Sequence, residues 1–393
     1  MYDIVYLDVT ELVAKPLRTG IQRLERELIR HWAGPARLVP VRFQDSRGLV
    51  ELHADVFTLL NEDPPPGGDV VAAERERLAP YLRDARPLEL AKPGSAVLVP
   101  ELFYDSARCS FYENLPMELK AKTYFFVHDF LPHLHPENFP QGTAVHCMSY
   151  LRVLRSSSNC SFNSNQTRRD FGERIVRRRN LQGPVVPLGG DGLGLERQSF
   201  SIDKRGFTVI GTIEPRKQVA QVIRAFALLW KKGVNVELDV VGFLLSHATA
   251  EQELLAAFAD EPRLHYRAHV SDDELRSILR KVRATIFVSK AEGFGIPPYE
   301  SLYAGIPVIC CDRGVPSLDL ISRSGQIRLD DTEPASIANA VEALLDDETA
   351  RRVWEEAARV SIPTWQSFAD QIANWVCAAD TLPSPQSLSA SIR

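Results

Sequence analysis

"ATIFVSKAEGFGIPPYESLYAGIPVICC", residues 284–311, carries a strand, a glycine turn, a helix and a second strand in immediate succession. The apolar run "ATIFVS" has no polar alternation, as expected of a strand covered on both faces. It runs into Gly293-Phe294-Gly295, and glycine reaches backbone conformations closed to other residues. Pro297 or Pro298 suits the first helical turn, where a missing N–H costs nothing. "YESLYAG" then reads as helix and "PVICCD" as the next strand. A strand leading through glycines into a helix presents free backbone N–H groups to an anion. Two carboxylates, Glu292 and Glu300, flank the turn. Glu300, in the first helical turn, complements the helix dipole. Beside a phosphate site it is also placed to hold ribose hydroxyls, which points to a nucleotide.

The same alternation extends upstream. Strand "FTVIGT", helix "VAQVIRAFALLWKKG", strand "VELDVVG" and helix "DDELRSILRKV" precede the quoted unit. Strands alternating with helices of about 10–15 residues predict βαβ units and a parallel sheet. The N-terminal half repeats the pattern. Strand "DIVYLDV" leads through "RTGIQR" into "IQRLERELIRHW", where Ile21, Leu24, Leu28 and Trp32 recur at helical spacing. "SAVLVP" and "KTYFFVHDF" are further buried strands, and "NEDPPPGGD" is a loop by composition. Between the halves, "PVVPLGGDGLGLERQSFSIDKRG" is the best linker. Two Rossmann-like domains facing each other across a central cleft are therefore expected. The boundaries are 1–190, a linker at 191–205, and 206–360, with a disordered tail at 380–393.

Composition sets the class. The chain has 393 residues, 45% apolar and 25% charged, and a net charge of -5. That is an ordinary soluble globular protein with ample core, to which the strand–helix alternation adds the α/β class, and a globally basic nucleic-acid binder is disfavoured. Six cysteines form no CxxC pair and no zinc spacing, as in a reducing, cytoplasmic setting. No apolar run approaches the ~20 residues that span a bilayer, so membrane contact is expected to be peripheral at most.

Two further stretches carry chemistry. In "GTIEPRKQ" a strand ends at Gly211, and Arg216 and Lys217 stand at the start of the next helix, as suits a phosphate. In "VHDFLPHLHPE" a strand from the other half delivers His128 and Asp129 to the cleft. Asp129 either orients His128 or makes a structural hydrogen bond. His128, His133, His135 and His146 fit no familiar metal spacing, so no metal site is expected. No GxGxxG follows any strand, which argues against a dinucleotide oxidoreductase.

These stretches together resemble the retaining GT4 family of glycosyltransferases, of GT-B fold. The resemblance rests on Glu292 and Glu300 in an E-x7-E arrangement, on "GTIEPRK", "VHDFLPHLHPE" and "TGIQR", and on "FNSNQTRRDF" and "VVPLGGDG". "SIPTWQSFADQIANW" resembles the terminal helix, residues 361–379, that crosses back to the first domain. The family implies a nucleotide-diphosphate sugar held by the C-terminal domain and an acceptor held by the N-terminal one. It gives Arg216 and Lys217 the diphosphate and Glu300 the ribose. Glu292 and His128 become the catalytic pair at the sugar. Gly20, Gly293, Phe294, Gly295 and Ile296 contribute donor-binding backbone, and the base rests near Val270. Thr212 stands where many relatives have Arg.

The resemblance favours same-face attack without a cofactor or metal. It is nearest to enzymes using mannose- or rhamnose-type donors such as GDP-mannose in bacterial O-antigen, capsule and exopolysaccharide assembly. The acceptor is then a glycan or lipid-linked glycan, met at the inner face of the cytoplasmic membrane. The arginines of "TRRDFGERIVRRRN" (Arg168, Arg169, Arg174, Arg177, Arg178 and Arg179) read as a solvated face or an anionic-lipid contact. A GT-B nucleotide-sugar epimerase and a non-catalytic GT-B scaffold are the alternatives. Oligomeric state is open.

Overall fold

The computed structural model describes residues 2–18, 20–62, 69–83, 85–88, 90, 92–177 and 183–378. The expected tail at 380–393, most of the "NEDPPPGGD" loop, and Arg178 and Arg179 lie outside them.

The first sheet contains β1 (Ile4–Asp8), β2 (Arg37–Gln44), β3 (Gly48–Glu51), β4 (Arg86–Pro87), β5 (Ser95–Val99), β6 (Thr123–Val127) and β7 (Asn159–Phe162). Their order is β4-β3-β2-β1-β5-β6-β7. Every pair from β2 to β7 along this order is parallel, and β3 and β4 add an antiparallel edge. The second sheet contains β8 (Gly206–Ile210), β9 (Leu238–Val241), β10 (Leu264–Arg267), β11 (Val282–Phe287), β12 (Val308–Cys311) and β13 (Gln326–Leu329). It runs β10-β9-β8-β11-β12-β13, all parallel. Every residue of β5, β6 and β11 is buried, so these strands are covered on both faces, and the buried positions of β11 include Arg283 and Thr285.

In both sheets the strand order reverses beside the first strand, between β1 and β5 and between β8 and β11. Open α/β sheets bind ligands at the carboxyl ends of such a switch point. In the first sheet a charged cluster braces this place. Arg108, 1% exposed, lies 2.6 Å from Asp8 at the end of β1 and pairs with Glu101 just after β5. Burial raises the Glu101 carboxyl to about 7.

The Gly20–His31 helix buries Leu24 and Leu28, as its spacing predicts. It stops before Trp32, whose indole N–H donates to Ala36 O at 2.9 Å. Arg216 and Lys217 do not open a helix. They sit in a one-turn 3-10 segment, Pro215–Lys217, and the helix starts at Val219 after Gln218 in a left-handed conformation (φ 58).

The Trp365–Cys377 helix lies on the first sheet although it is last in the chain. Phe368 stacks edge-on to Phe126 at 5.4 Å and Trp375 to Tyr124 at 5.0 Å. Gln366 also donates to His31 O at 3.0 Å. The two chain crossings between the domains run side by side: Gly190 N donates to Pro363 O at 2.9 Å and Trp365 N to Asp191 Oδ1 at 2.7 Å. A Cβ on Gly189 would lie 2.2 Å from Trp365 N, so this contact admits only glycine. Among the described residues no helix is long and apolar enough to cross a membrane.

Candidate active site

The carboxyl ends of the two sheets enclose a cavity of ≈ 350 Å³. From the first domain come Gly20 and Arg23 after β1, His128 and Asp129 after β6, and Asn163 after β7. From the second come Gly211 and Thr212 after β8, then Arg216, Lys217 and the run Glu292–Glu300 after β11. His128, Glu292, Gly20, Arg216, Lys217, Gly293, Phe294, Gly295, Ile296 and Glu300 thus share one cavity. Val270 does not. The loop turns it into a separate groove beside Arg205 and Lys281, and Leu275 of the Asp272–Leu279 helix reaches the main cavity instead.

Glycine is required where the turn approaches its neighbours. Gly295 has φ 95, and a Cβ there would lie 2.6 Å from Val315 Cγ1. A Cβ on Gly293 would lie 2.3 Å from Asp129 Oδ2, in the opposite domain.

Glu292 lies between two cations. Its Oε2 is 2.7 Å from Arg216 Nη1 and its Oε1 2.9 Å from Lys217 Nζ. Burial by itself would raise this carboxyl, but Lys217 and Arg216 outweigh it and hold the group below its usual range. Arg216 is fixed further by Glu214 at 2.7 Å and by donating to Ala291 O at 2.6 Å. Lys217 also lies over the Phe287 ring, 5.0 Å from its centroid.

Glu300 is held from across the cleft by Arg23, whose Nη1 is 2.9 Å from Oε1. Burial nonetheless pushes its carboxyl up to about 7, against the pull of Arg23. Glu292 Oε1 and Glu300 Oε1 are buried oxygens, each with one cation at 2.9 Å, Lys217 Nζ and Arg23 Nη1.

His128 is 7% exposed, and burial lowers its imidazole to about 4, so it is neutral at physiological pH. Nε2 is 2.5 Å from Pro100 O. A carbonyl only accepts, so Nε2 carries the proton and Nδ1 is the acceptor. Asp129 does not orient this ring. Its Oδ1 accepts from Leu131 N at 2.9 Å, the structural alternative of the sequence reading. Asn163 instead braces the backbone, donating from Nδ2 to His128 O at 2.6 Å. Among the described residues no group of three or more His, Cys, Asp or Glu is placed to hold a metal ion.

Sequence reasoning missed Arg23, Glu214 and Asn163. Arg23 was hidden on the polar face of an amphipathic helix. Only Glu214, beside Arg216 in "EPRK", left a local signal.

Comparison with known proteins bears on this site. The model of the glycosyl transferases group 1 family matches residues 196–361. The serotype-specific mannosyltransferase WbdA of Escherichia coli is 33% identical over 143 residues, 35% of this chain and 17% of that protein. The O-antigen chain mannosyltransferase B of Escherichia coli is 27% identical over 164 residues, 41% of each chain. The chain therefore spans well under half the length of these relatives. Anabaena HepE, solved in complex with UDP and glucose, superposes with a TM-score of 0.64 at 15% identity, covering 97% of this chain and all of that one. Residues 196–361 thus match the glycosyl transferases group 1 family, within a chain of two-domain GT-B architecture.

Proposed function

We infer that the protein is a retaining glycosyltransferase that moves a mannose-type sugar from a nucleotide-diphosphate sugar to a glycan or lipid-linked glycan in bacterial surface polysaccharide assembly. GDP-mannose is the favoured donor, because the relatives with printed activities include O-antigen mannosyltransferases. The observation that carries the reading is that two buried carboxylates, Glu292 and Glu300, share the wall of one cavity with the cations Arg216 and Lys217. Hydroxyl groups donate to such carboxylates and a diphosphate satisfies the cations, and a nucleotide sugar has both.

The chemistry follows from these charges. The bond from the anomeric carbon to the diphosphate oxygen breaks, and the acceptor hydroxyl oxygen bonds that carbon. The hydroxyl proton passes to the departing phosphate. Charge building on the leaving group is met by Arg216 and Lys217, already fixed in place by Glu292 and Glu214; such preorganisation is usually the largest catalytic contribution. Neutral His128, with Nδ1 unprotonated, accepts a hydrogen bond from a sugar hydroxyl and is not a proton donor. The two cations do the work of a metal, so we assign no cofactor. The site of action is the cytoplasm, at the inner face of the membrane where lipid-linked glycans are extended.

A thermal-shift panel of GDP, UDP, dTDP and their sugars, followed by transfer assays in EDTA, tests the reading. The expected result is stabilisation by one nucleotide series and transfer that survives chelation. Activity lost in EDTA and restored by one divalent ion overturns the metal-independent mechanism. Turnover of the nucleotide sugar without any acceptor would instead identify an epimerase.

A further inference from the structure

The Thr143–Ser156 helix of the first domain turns one face to solvent. Val145 and Met148 are exposed by 72% and 43%, and Arg152 and Arg155 continue the same side at helical spacing. Opposite them the Phe171–Ile175 turn supplies Arg174, and Arg177 follows in a left-handed conformation (φ 55). These walls enclose a groove of ≈ 380 Å³ lined by Met148, Leu151 and the four arginines. Its charges are weakly matched: Arg152 faces Glu113 at 3.4 Å and Arg174 faces Asp170 at 3.5 Å. Arg155 and Arg177 have no carboxylate partner among the described residues. A merely solvated face scatters its charges. Here four guanidiniums converge over an apolar floor, and the helix continues as exposed aliphatic side chains.

The groove also lies near the reacting centre. Arg174 lines a second cavity, of ≈ 170 Å³, whose walls include Asp129 and Glu292. The same two residues line the main cavity. The arginine groove is thus separated from Glu292 by this one smaller cavity.

We propose that this groove binds the diphosphate head of a lipid-linked acceptor, with the lipid leaving along Met148 and Val145 and the acceptor sugar reaching Glu292 through the smaller cavity. The proposal rests on the glycosyltransferase reading and names the acceptor's binding site within it. Guanidinium forks suit phosphate oxygens bidentately, and the aliphatic stripe beside them suits a hydrocarbon chain.

The test is titration of the full chain with farnesyl diphosphate, no sugar donor present. The expected result is binding that Arg152→Gln with Arg155→Gln weakens by about tenfold or more, with melting temperature and nucleotide-diphosphate affinity unchanged. Farnesol and inorganic pyrophosphate should each bind far more weakly. Equal binding by the double variant overturns the proposal. So does complete displacement by the nucleotide diphosphate, which would put the probe in the main cavity, or pyrophosphate binding as tightly as farnesyl diphosphate, which would reduce the groove to an anion patch. Loss of binding to phosphatidylglycerol vesicles in the variant, without farnesyl diphosphate binding by the parent, would make it a membrane face instead. Nucleotide titrations test the main cavity separately, so either result can fail while the other stands.

Discussion

Glu292→Gln is the most informative single change at this site, because the carboxylate faces two cations and one unfilled cavity at once. Glutamine keeps the volume and removes the charge that Arg216 and Lys217 share at 2.7 and 2.9 Å. Breaking a buried ion pair from one side costs about 3–5 kcal/mol. The lower end applies, since Arg216 retains Glu214 and Ala291 O. At about 2–4 °C per kcal/mol for a unit of 150–250 residues, the ligand-free melting temperature should fall by about 6–12 °C. Nucleotide diphosphate should have the opposite response. Lys217 loses its carboxylate and Arg216 keeps only Glu214, so the diphosphate meets cations that are less neutralised. One regained charge-assisted hydrogen bond, about 1.5–3 kcal/mol, tightens binding by roughly tenfold or more. Sugar transfer should nonetheless collapse, because the lost contact matters most as the sugar reorganises. Thermal melts with and without nucleotide, calorimetric titration and turnover together read all three effects. A variant that binds nucleotide diphosphate more weakly than the parent would refute the counter-ion reasoning, and parental turnover would remove Glu292 from the chemistry.

Three other outcomes are expected. Lys217→Ala should weaken the nucleotide diphosphate by about 1.5–3 kcal/mol and the nucleoside hardly at all; equal loss of both, by titration, would place Lys217 away from the phosphates. Nucleotide affinity should rise with pH through about 7, as Glu300 ionises and becomes a full acceptor for ribose, and Glu300→Gln should flatten that profile. The sign for stability is the reverse: a carboxyl raised by burial favours the folded state at low pH, so its contribution is lost as pH climbs from about 4.5 to about 7. Gly190→Ala should destabilise by about 1–3 kcal/mol in denaturant melts, since its Cβ would lie 2.7 Å from Ile362 Cγ2 and 2.9 Å from Tyr303 Cβ.

The parts of this molecule that were legible in its sequence are those fixed by local chemistry. β6 is covered on both faces and, past Thr123, therefore reads as a continuous apolar run. Gly293 and Gly295 announced a turn, although not that Asp129 and Val315 are what exclude a side chain there. β3 and β4 escaped notice because four and two residues are too few to show a period. Arg23 could not be told from any solvated helix arginine, because its partner Glu300 reaches it only when the domains meet. The displacement of Val270 has the same origin: the direction a loop residue faces is set by how the following helix docks.

The return of the Trp365–Cys377 helix to the first sheet has a consequence for how the chain is made. The first domain's strands leave the ribosome early, yet Phe368 and Trp375, which cover Phe126 and Tyr124, come last. At about 5–20 residues per second, the second domain that separates them takes roughly 10–35 s to synthesise. During that interval a face of the first sheet waits uncovered, and the second domain can fold first. A nascent chain stalled before Trp365 should therefore carry a protected second domain and a protease-sensitive first one, the reverse of their order of birth.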